Sequence, residues 1–468
     1  MIASLKHIDF KSPDVTIVVL TGLLFAVRLF HITDPPIEVS HNWRQTTSMM
    51  VARNFYQEDN NIFYPRLDDC GAKTGIVGME FPLLSYSIYL VSNTVGYDHW
   101  YGRLINLIVV SFGIWFFYRL VGLYFDRRVA LYAAIAFSFS ALFHLARKVM
   151  PDPMALSLII IGLYYGVIYL RSGKWKFLIA YFLFALLGVL VKIPFGIYLA
   201  LLIFPLIKSH LTLLHKFWFC LLSSIILWAV FTWYFIWNVH LSETYGLWYN
   251  NGRTWAEGWN EIISHPAETL AKFYFNAFHG YLFFALAMLG LVYAVWKKKK
   301  KVWFATVLLL PLFVVYIIKS GYLFYHHGYY VLVMMPLLAL LVGVMLQGMR
   351  RVFAIVLVLV CVGESIANQQ HDFFIKEKEF TKVQLEEFAN RVSRPTDLVA
   401  LSGTLNPNEF YFLNRKGWLL QREDLTEEKL LAIKAEGCKY FFSRKEFFNG
   451  PLPFTIVFEN GDYVVWRL

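Results

Sequence analysis

The sequence predicts a mainly α-helical, polytopic membrane protein with a small α/β domain at its C-terminal end. Of its 468 residues, 58% are hydrophobic and only 16% are charged. Soluble domains carry about 25% charged residues, so this composition excludes an ordinary soluble protein. The net charge of +11 lies largely in short basic clusters between apolar runs. Such clusters orient a chain in the bilayer and do not indicate nucleic acid as a partner.

Apolar runs of about 17–25 residues predict transmembrane helices. About eleven are expected, at 14–31, 103–124, 129–146, 153–170, 175–191, 193–208, 215–238, 279–296, 302–318, 329–347 and 352–367.

The basic residues between these runs predict the orientation. With a cytoplasmic N-terminus, the inner connections hold Arg127 with Arg128, the run Lys297–Lys301, and Arg350 with Arg351. Cytoplasmic loops are enriched in Lys and Arg. We therefore expect a multi-pass protein of the plasma (inner) membrane whose C-terminal domain is extracytoplasmic.

The chain divides into a membrane domain at 1–367, with a first outer loop at 32–102, and an extracytoplasmic α/β domain at 368–468. In the second domain we expect a helix at 376–392, strands at 397–402 and 439–443, and a helix capped by Thr426. The turn Asn460-Gly461-Asp462 predicts a hairpin between strands 455–459 and 463–467.

The first outer loop opens with SHNWRQTTSMMVARNFY at 40–56. In a helix capped by Ser40, the residues His41, Arg44, Gln45 and Ser48 form one polar stripe. His and Arg beside the free N–H groups of a helix start favour an anion site. An interfacial amphipathic helix without chemistry is the alternative. A second amphipathic helix is expected near 83–94.

The same loop supplies carboxylates. Glu38 lies before the opening helix, Asp68 lies in the middle of the loop, and Glu80 lies just before Pro82. A carboxylate at the membrane surface can act as a general base on a sugar or lipid hydroxyl. Asp68 and Glu80 are the better candidates, because their segments are anchored by proline and aromatic residues.

The outer ends of later helices carry further polar groups. Arg147 and Asp152 lie in ARKVMPDP, Lys192 in LVKIPFG, and His326 with His327 in YLFYHHGYYVLVMMP. Charges at this depth are costly unless they face a cavity, so a phosphate-binding cavity at the outer leaflet is one interpretation. A structural Arg–Asp pair, snorkelling of the lysine and an aromatic-belt position for the histidines remain open.

The cysteines and histidines show no metal-binding spacing, so no cofactor is expected, and a divalent metal is supported by no motif. Cys70 and Cys438 both lie in predicted outer regions, where a disulfide is chemically allowed. We hypothesise that they pair.

Together these motifs and their order resemble the integral-membrane glycosyltransferases of the C-type fold. The resemblance is to the branch with bacterial protein O-mannosyltransferase-like enzymes and the aminoarabinose transferase of lipid A. It covers the whole architecture and rests locally on HNWRQTTSMMVARNFY, YPRLD, MEFPLLSY, RKVMPDP, LVKIPFG and HHGYYVLVMMP. It implies inverting sugar transfer from a polyprenyl-phosphate-linked donor to an extracytoplasmic lipid, glycan or protein. A transporter or flippase of a lipid-linked or anionic solute is the alternative, although no inverted repeat is visible.

The resemblance also implies roles for single residues. Glu80 stands where the family has Glu before Lys-Pro-Pro-Leu, with Phe81 in place of the Lys, and Asp152 matches an acid at the outer start of the fourth span. The family's acid at the start of the first outer loop is missing from HNWRQTT. We expect Glu80 or Asp68 as the base, with Glu38 and Asp152 in support. Contacts to the donor phosphate are expected from His41, Arg44, Gln45, Arg147, Lys192, His326 and His327.

Overall fold

The computed structural model describes residues 12–247, 252–403, 406–448 and 450–468. In chain order, the α-helices of these residues are α1 (Pro13–Arg28), α2 (Asn42–Gln57), α3 (Leu83–Val95), α4 (Tyr101–Gly122), α5 (Arg127–Ser138), α6 (Leu142–Leu145), α7 (Pro151–Ser172), α8 (Trp175–Val191), α9 (Ile203–Lys208), α10 (Leu213–Phe231), α11 (Asn238–Tyr245), α12 (Trp255–Ser264), α13 (Pro266–Ala271), α14 (Leu282–Trp296), α15 (Lys300–Ser320), α16 (Tyr322–His326), α17 (Met335–Gln347), α18 (Arg351–Gln369), α19 (Leu385–Val392), α20 (Asn408–Leu413) and α21 (Glu427–Ala435).

Short segments of other helix types extend or join these helices. The 3₁₀ segments are Ile193–Leu202, Gly328–Met334, Gln370–Phe373, Glu377–Gln384 and Arg422–Asp424, and the π segments are Thr232–Trp237 and Lys272–Asn276.

The protein is mainly helical, as predicted. Six helical stretches of the described residues are long and apolar enough to cross a membrane: Tyr101–Gly122, Pro151–Ser172, Leu213–Tyr245, Lys300–Ser320, Gly328–Gln347 and Arg351–Val392. Each of the eleven predicted segments contains helix, but the count of about eleven spans is not confirmed. The predicted boundary at residue 367 lies inside α18 and stays a prediction.

The predicted span at 129–146 shows why the count differs. This segment is not one continuous helix, because α5 ends at Ser138 and only the short α6 follows. A twelve-residue helix such as α5 is about 18 Å long, well short of the roughly 30 Å hydrocarbon core. Apolar composition alone did not reveal this break.

Helix α7 is largely buried and packs against α4 and α8. Two glycines allow the close approach of α7 and α8. A Cβ added at Gly162 would lie 2.8 Å from the backbone nitrogen of Ala185, and one at Gly188 would lie 2.8 Å from that of Ile159. Small residues at such crossings let helix backbones pack tightly in a membrane. The N-terminal end of α7 therefore belongs to a tightly packed pair of helices.

The C-terminal region contains a five-stranded sheet in the order β2-β1-β3-β5-β4. The strands are β1 (Leu398–Ser402), β2 (Gly417–Leu420), β3 (Cys438–Arg444), β4 (Thr455–Glu459) and β5 (Tyr463–Arg467). β1 pairs with β2 and β3 in parallel, and β5 pairs with β3 and β4 in antiparallel orientation.

The predicted α/β elements of this region are largely confirmed. β4 and β5 have the predicted bounds, and the Thr426 side chain accepts a hydrogen bond from the Lys429 backbone N–H at the start of α21. The helix expected over 376–392 begins as the 3₁₀ segment Glu377–Gln384 and continues as α19. β2 and α20 were not predicted.

This sheet is joined to the first outer loop by backbone hydrogen bonds. The Gly71 N–H donates to the Gly417 carbonyl at 2.6 Å, and the Gly417 N–H donates to the Asp68 carbonyl at 3.0 Å. The Thr46 hydroxyl of α2 donates to the Asn408 side-chain oxygen at 2.7 Å. The first loop and the C-terminal domain therefore form one packed unit.

The proposed disulfide between Cys70 and Cys438 is wrong. Both cysteines are buried free thiols. The Cys70 thiol contacts the Lys73 carbonyl at 3.3 Å, and the Cys438 thiol, at the start of β3, contacts the Tyr440 carbonyl at 3.5 Å. The predicted location of both cysteines on the same side of the membrane allowed a disulfide. In the fold, however, the Cys70 and Cys438 side chains contact different partners.

The glycine at 417 generates a stability prediction. Its φ is +151°, and a Cβ there would meet the Val399 carbonyl oxygen of β1. We expect Gly417→Ala to destabilise the protein by more than about 2 kcal/mol, because the clash separates β2 from both β1 and the first loop. Thermal unfolding of the detergent-solubilised chain measures this. Gly461→Ala is the control, since a Cβ there meets nothing within 4 Å. Equal melting temperatures for the two variants would contradict the prediction.

Candidate functional site

Helix α2 begins at Asn42, so the predicted cap at Ser40 is wrong. His41 precedes the helix in the left-handed conformation, with φ of 66°. Its ring therefore leaves the predicted stripe and stacks on His144, with ring centroids 5.9 Å apart. From Arg44 to Phe55, α2 is buried. This burial does not fit an interfacial helix that rests on lipid headgroups.

Two buried ion pairs involve helices α2 and α7. Arg44 of α2 pairs with Glu80, and both side chains are buried. Asp152, in the first turn of α7, has its Oδ1 atom 3.4 Å from Nζ of Lys192. Asp152 is 4% exposed, and its Oδ2 atom has no hydrogen-bond partner among the described residues. Lys192, which follows the last residue of α8, thus forms an ion pair with Asp152. This contact is more specific than the extension toward the membrane surface that the sequence also allowed.

His327 lies within the electrostatic reach of both pairs. Burial, the adjacent His326, and the charges of Arg44 and Lys192 lower the pKa of His327 to about 4. The His327 imidazole is therefore neutral at pH 7 and can donate one hydrogen bond. We call Arg44, Glu80, Asp152, Lys192 and His327 together the charged site.

A third ionic group supports this site from one side. Glu38 is fully buried, with Oε1 2.6 Å from Nη2 of Arg103 and 3.5 Å from Nη1 of Arg147. Its Oε2 accepts a hydrogen bond from the Gln45 amide at 2.8 Å. Burial alone would raise the pKa of Glu38, but the charges of Arg103, Lys148 and Arg147 lower it overall. We call Glu38 with Arg103, Arg147 and Gln45 the Glu38 cluster.

The Glu38 cluster holds the segment that precedes α7. The Arg147 guanidinium donates to the Phe30 and His31 carbonyls at 2.8 and 2.7 Å. The Gln45 side-chain oxygen accepts from the Val149 N–H at 3.1 Å. Predicted as phosphate contacts, Gln45 and Arg147 instead bind other protein groups, and no described contact brings them to the charged site.

Asp68 serves as an anchor between the first loop and the C-terminal domain. Its Oδ2 lies 2.7 Å from Nη2 of Arg53, and its Oδ1 accepts from the Asn54 amide at 2.8 Å. Arg53 also donates to the Tyr411 carbonyl of α20. Both Asp68 oxygens are occupied in a buried position, which does not fit the base predicted from the sequence.

A polar cavity of about 590 Å³ lies between the start of the first loop and α18. Its lining includes His41, His144, His279, His326 and Asp372. His326 faces this cavity, while its ring lies 5.0 Å from that of His327 in the charged site. Sequence reasoning missed His144 and Asp372, because they come from segments far apart in the chain and have no motif spacing.

The Glu38 cluster generates a second prediction. We expect Glu38→Gln to destabilise the protein by about 3–5 kcal/mol, because two arginines lose their buried counter-charge. Thermal unfolding with the solubilised chain tests this. The matched control is Glu387→Gln, whose ion pair with Arg391 is more than half exposed and should contribute under about 1 kcal/mol. Similar losses in both variants would contradict the structural role of Glu38.

Comparisons with known proteins identify a family model and solved structures that are similar to this chain. The family model of dolichyl-phosphate-mannose-protein mannosyltransferase matches residues 80–237, less than half of the chain. The structure is similar to ArnT from Cupriavidus metallidurans in the apo state, at 13% identity and a TM-score of 0.63, covering 97% of this chain and 98% of that one. The chain has the C-type glycosyltransferase fold.

Two further solved structures agree. ArnT from Cupriavidus metallidurans bound to undecaprenyl phosphate matches at 12% identity and a TM-score of 0.57, over 96% of this chain and 97% of that one. The apo oligosaccharyltransferase from Archaeoglobus fulgidus matches at 12% identity and a TM-score of 0.61, over 94% and 70%. No curated protein matches the chain in sequence at a significant level. The resemblance to C-type-fold glycosyltransferases predicted from the sequence is confirmed.

Proposed function

We propose that this protein transfers a sugar from a polyprenyl-phosphate-linked donor to a hydroxyl on an extracytoplasmic acceptor, with inversion at the anomeric carbon. The observation that carries the proposal is the free Oδ2 of buried Asp152 in a site that also holds Arg44, Lys192 and His327. The fold and the partial family match support it. The undecaprenyl phosphate bound by the similar ArnT supports a lipid-linked donor.

The charges of the site suit the bond that breaks. A polyprenyl-phosphate sugar is a phosphodiester with one negative charge. When the bond between the anomeric carbon and the phosphate oxygen breaks, its electron pair stays with the phosphate, which gains a second negative charge. Arg44 and Lys192 stabilise that charge as it develops, and neutral His327 donates a hydrogen bond.

The acceptor hydroxyl attacks the opposite face of the anomeric carbon, and its proton must go to a base. We assign that base to Asp152, because its Oδ2 atom is available while its Oδ1 atom lies beside Nζ of Lys192. Glu80 is engaged by Arg44, so we assign it to holding this guanidinium in position. This differs from the assignment expected from the sequence, in which Glu80 or Asp68 was the base and Asp152 a supporting residue.

We also propose that the charged site faces the extracytoplasmic side. Asp152 begins α7 and Lys192 follows α8, at the ends opposite the basic residues Arg171 and Lys174. Under the positive-inside rule those basic residues mark the cytoplasmic ends. The acceptor is then a cell-envelope glycan, a lipid or a protein.

The base assignment predicts a selective loss of turnover. Asp152→Asn should lower the transfer rate by about 10²–10⁴-fold and leave donor binding largely intact, because it removes the proton acceptor and keeps the shape. Purified variants incubated with a panel of polyprenyl-phosphate sugars and acceptors give the rates. Asp68→Asn is the matched control, expected to lower stability and keep the turnover of the folded enzyme.

Each other outcome of this experiment has a definite meaning. Full activity in Asp152→Asn with loss in Glu80→Gln would move the base to Glu80. Full activity in both variants, singly and combined, would mean that the charged site is not catalytic.

The phosphate-binding role predicts a change in donor affinity. Lys192→Met should weaken donor binding by about 10–100-fold, because a hydrogen bond to a charged group contributes about 1.5–3 kcal/mol. Binding of a polyprenyl phosphate to the solubilised protein measures this without an acceptor. Lys176→Met, at the exposed start of α8, should bind like the wild type. Equal affinity in both variants would remove Lys192 from the donor site.

A further inference from the structure

We propose that His41, His144 and Asp372 bind one divalent metal ion of the zinc class at the wall of the polar cavity. Their ligand atoms lie within 4.8 Å of one another. Imidazole nitrogen and carboxylate oxygen are common zinc ligands, and three protein ligands leave a fourth position open. All three residues line the cavity, so that position faces a space of about 590 Å³.

The hydrogen bonds around Gln369 determine which nitrogen of His144 is available. The Gln369 amide NH₂ donates to the Ser365 hydroxyl at 2.7 Å and to the Phe139 carbonyl at 3.4 Å. Its Oε1 therefore points to His144, where it lies 2.7 Å from Nδ1. Because Oε1 can only accept, Nδ1 must carry the proton. In the neutral ring, Nε2 then has a free lone pair, the form that binds metals.

The Nε2 atom lies on the other side of the His144 ring. His144 is 1% exposed, and its Nε2 has no hydrogen-bond partner among the described residues. The nearest acid atom, Oδ2 of Asp372, is 3.9 Å away. A direct hydrogen bond would bring these atoms to about 2.8 Å. Zinc bonds of about 2.0–2.2 Å place tetrahedral ligand atoms roughly 3.4 Å apart, a separation that small side-chain rotations reach.

Asp372 is ion-paired on one side of its carboxylate. Its Oδ1 lies 2.7 Å from Nζ of Lys148, which also donates to the Ser40 carbonyl at 2.7 Å. Oδ2 lies 3.5 Å from Nε2 of the exposed His371 and 3.9 Å from Nε2 of the buried His144. Lys148 neutralises the single carboxylate, so a bound dication carries excess positive charge. An anion from the cavity, such as hydroxide or a phosphate oxygen, balances that charge at the open position. A phosphate oxygen of the donor in that place rests on the proposed function.

His41 completes the group from the first loop. Its left-handed backbone turns the ring away from α2 and toward His144, and its Nδ1 is a buried atom without a hydrogen-bond partner in the described part of the chain. The three ligands thus join the first loop, the segment before α7 and the end of α18. We infer that the metal also ties these three segments together.

Metal binding is measured without donor or acceptor, so its outcome is separate from that of the transfer experiments. The solubilised full chain is stripped with a chelator, dialysed against Zn²⁺, and analysed for bound zinc and for melting temperature. We expect one zinc ion per chain and a melting temperature that rises with zinc. A stripped chain that binds no zinc overturns the proposal.

Variants then test the ligands. His41→Ala and His144→Ala should each lose the bound zinc and the zinc-dependent rise in melting temperature, whereas His210→Ala, an exposed histidine, should keep both. Gln369→Leu should weaken zinc binding by about 10–100-fold, because the Nδ1–H loses its acceptor. Wild-type zinc affinity in folded His144→Ala would overturn the site. Unchanged affinity in Gln369→Leu would overturn the argument that Gln369 presents Nε2 to the metal.

Discussion

The structure depends on the burial of the Glu38 carboxylate. An ionised group without water must be paired and hydrogen-bonded, or its desolvation destabilises the fold. Here the pairing groups are Arg103 of α4, Arg147 before α7 and Gln45 of α2. The contacts of this one carboxylate therefore bring three separate segments together. One of these segments leads directly into α7, so the contacts also help to position Asp152 in the first turn of that helix.

The polar residues around the first loop and the start of α7 divide into groups with different physical roles. Glu38, Gln45 and Arg147 satisfy one another, and Asp68 joins Arg53 to the C-terminal domain. In the charged site the Asp152 Oδ2 is still available, and in the polar cavity so is the His144 Nε2. Buried polar atoms that the fold leaves unsatisfied are the ones available to a ligand. This division agrees with two adjacent sites, the proposed sugar-transfer site and the proposed metal site.

The absence of an acid at the start of the first loop fits this arrangement. In HNWRQTT the first polar position is His41, and it meets His144 and Asp372 at the cavity wall. The carboxylate of this group is Asp372, which lies in the segment after α18. The conformation at His41 and the path of α18 decide this contact, and neither has a signature in the sequence.

The sequence by itself determined the membrane class, the helical segments and most of the C-terminal elements. These depend on local patterns, such as apolar runs, the Thr426 cap and the Asn460-Gly461-Asp462 turn, and neighbouring residues decide them. It also identified Arg44, Glu80, Asp152, Lys192 and His327, because charges are conspicuous among apolar residues. Only the tertiary structure decided that Asp68 is an anchor, that α5 ends at Ser138, that Cys70 and Cys438 stay apart, and that His144 and Asp372 meet. The reason is that pairing between distant segments depends on packing and on the satisfaction of buried charges, which sequence spacing does not record.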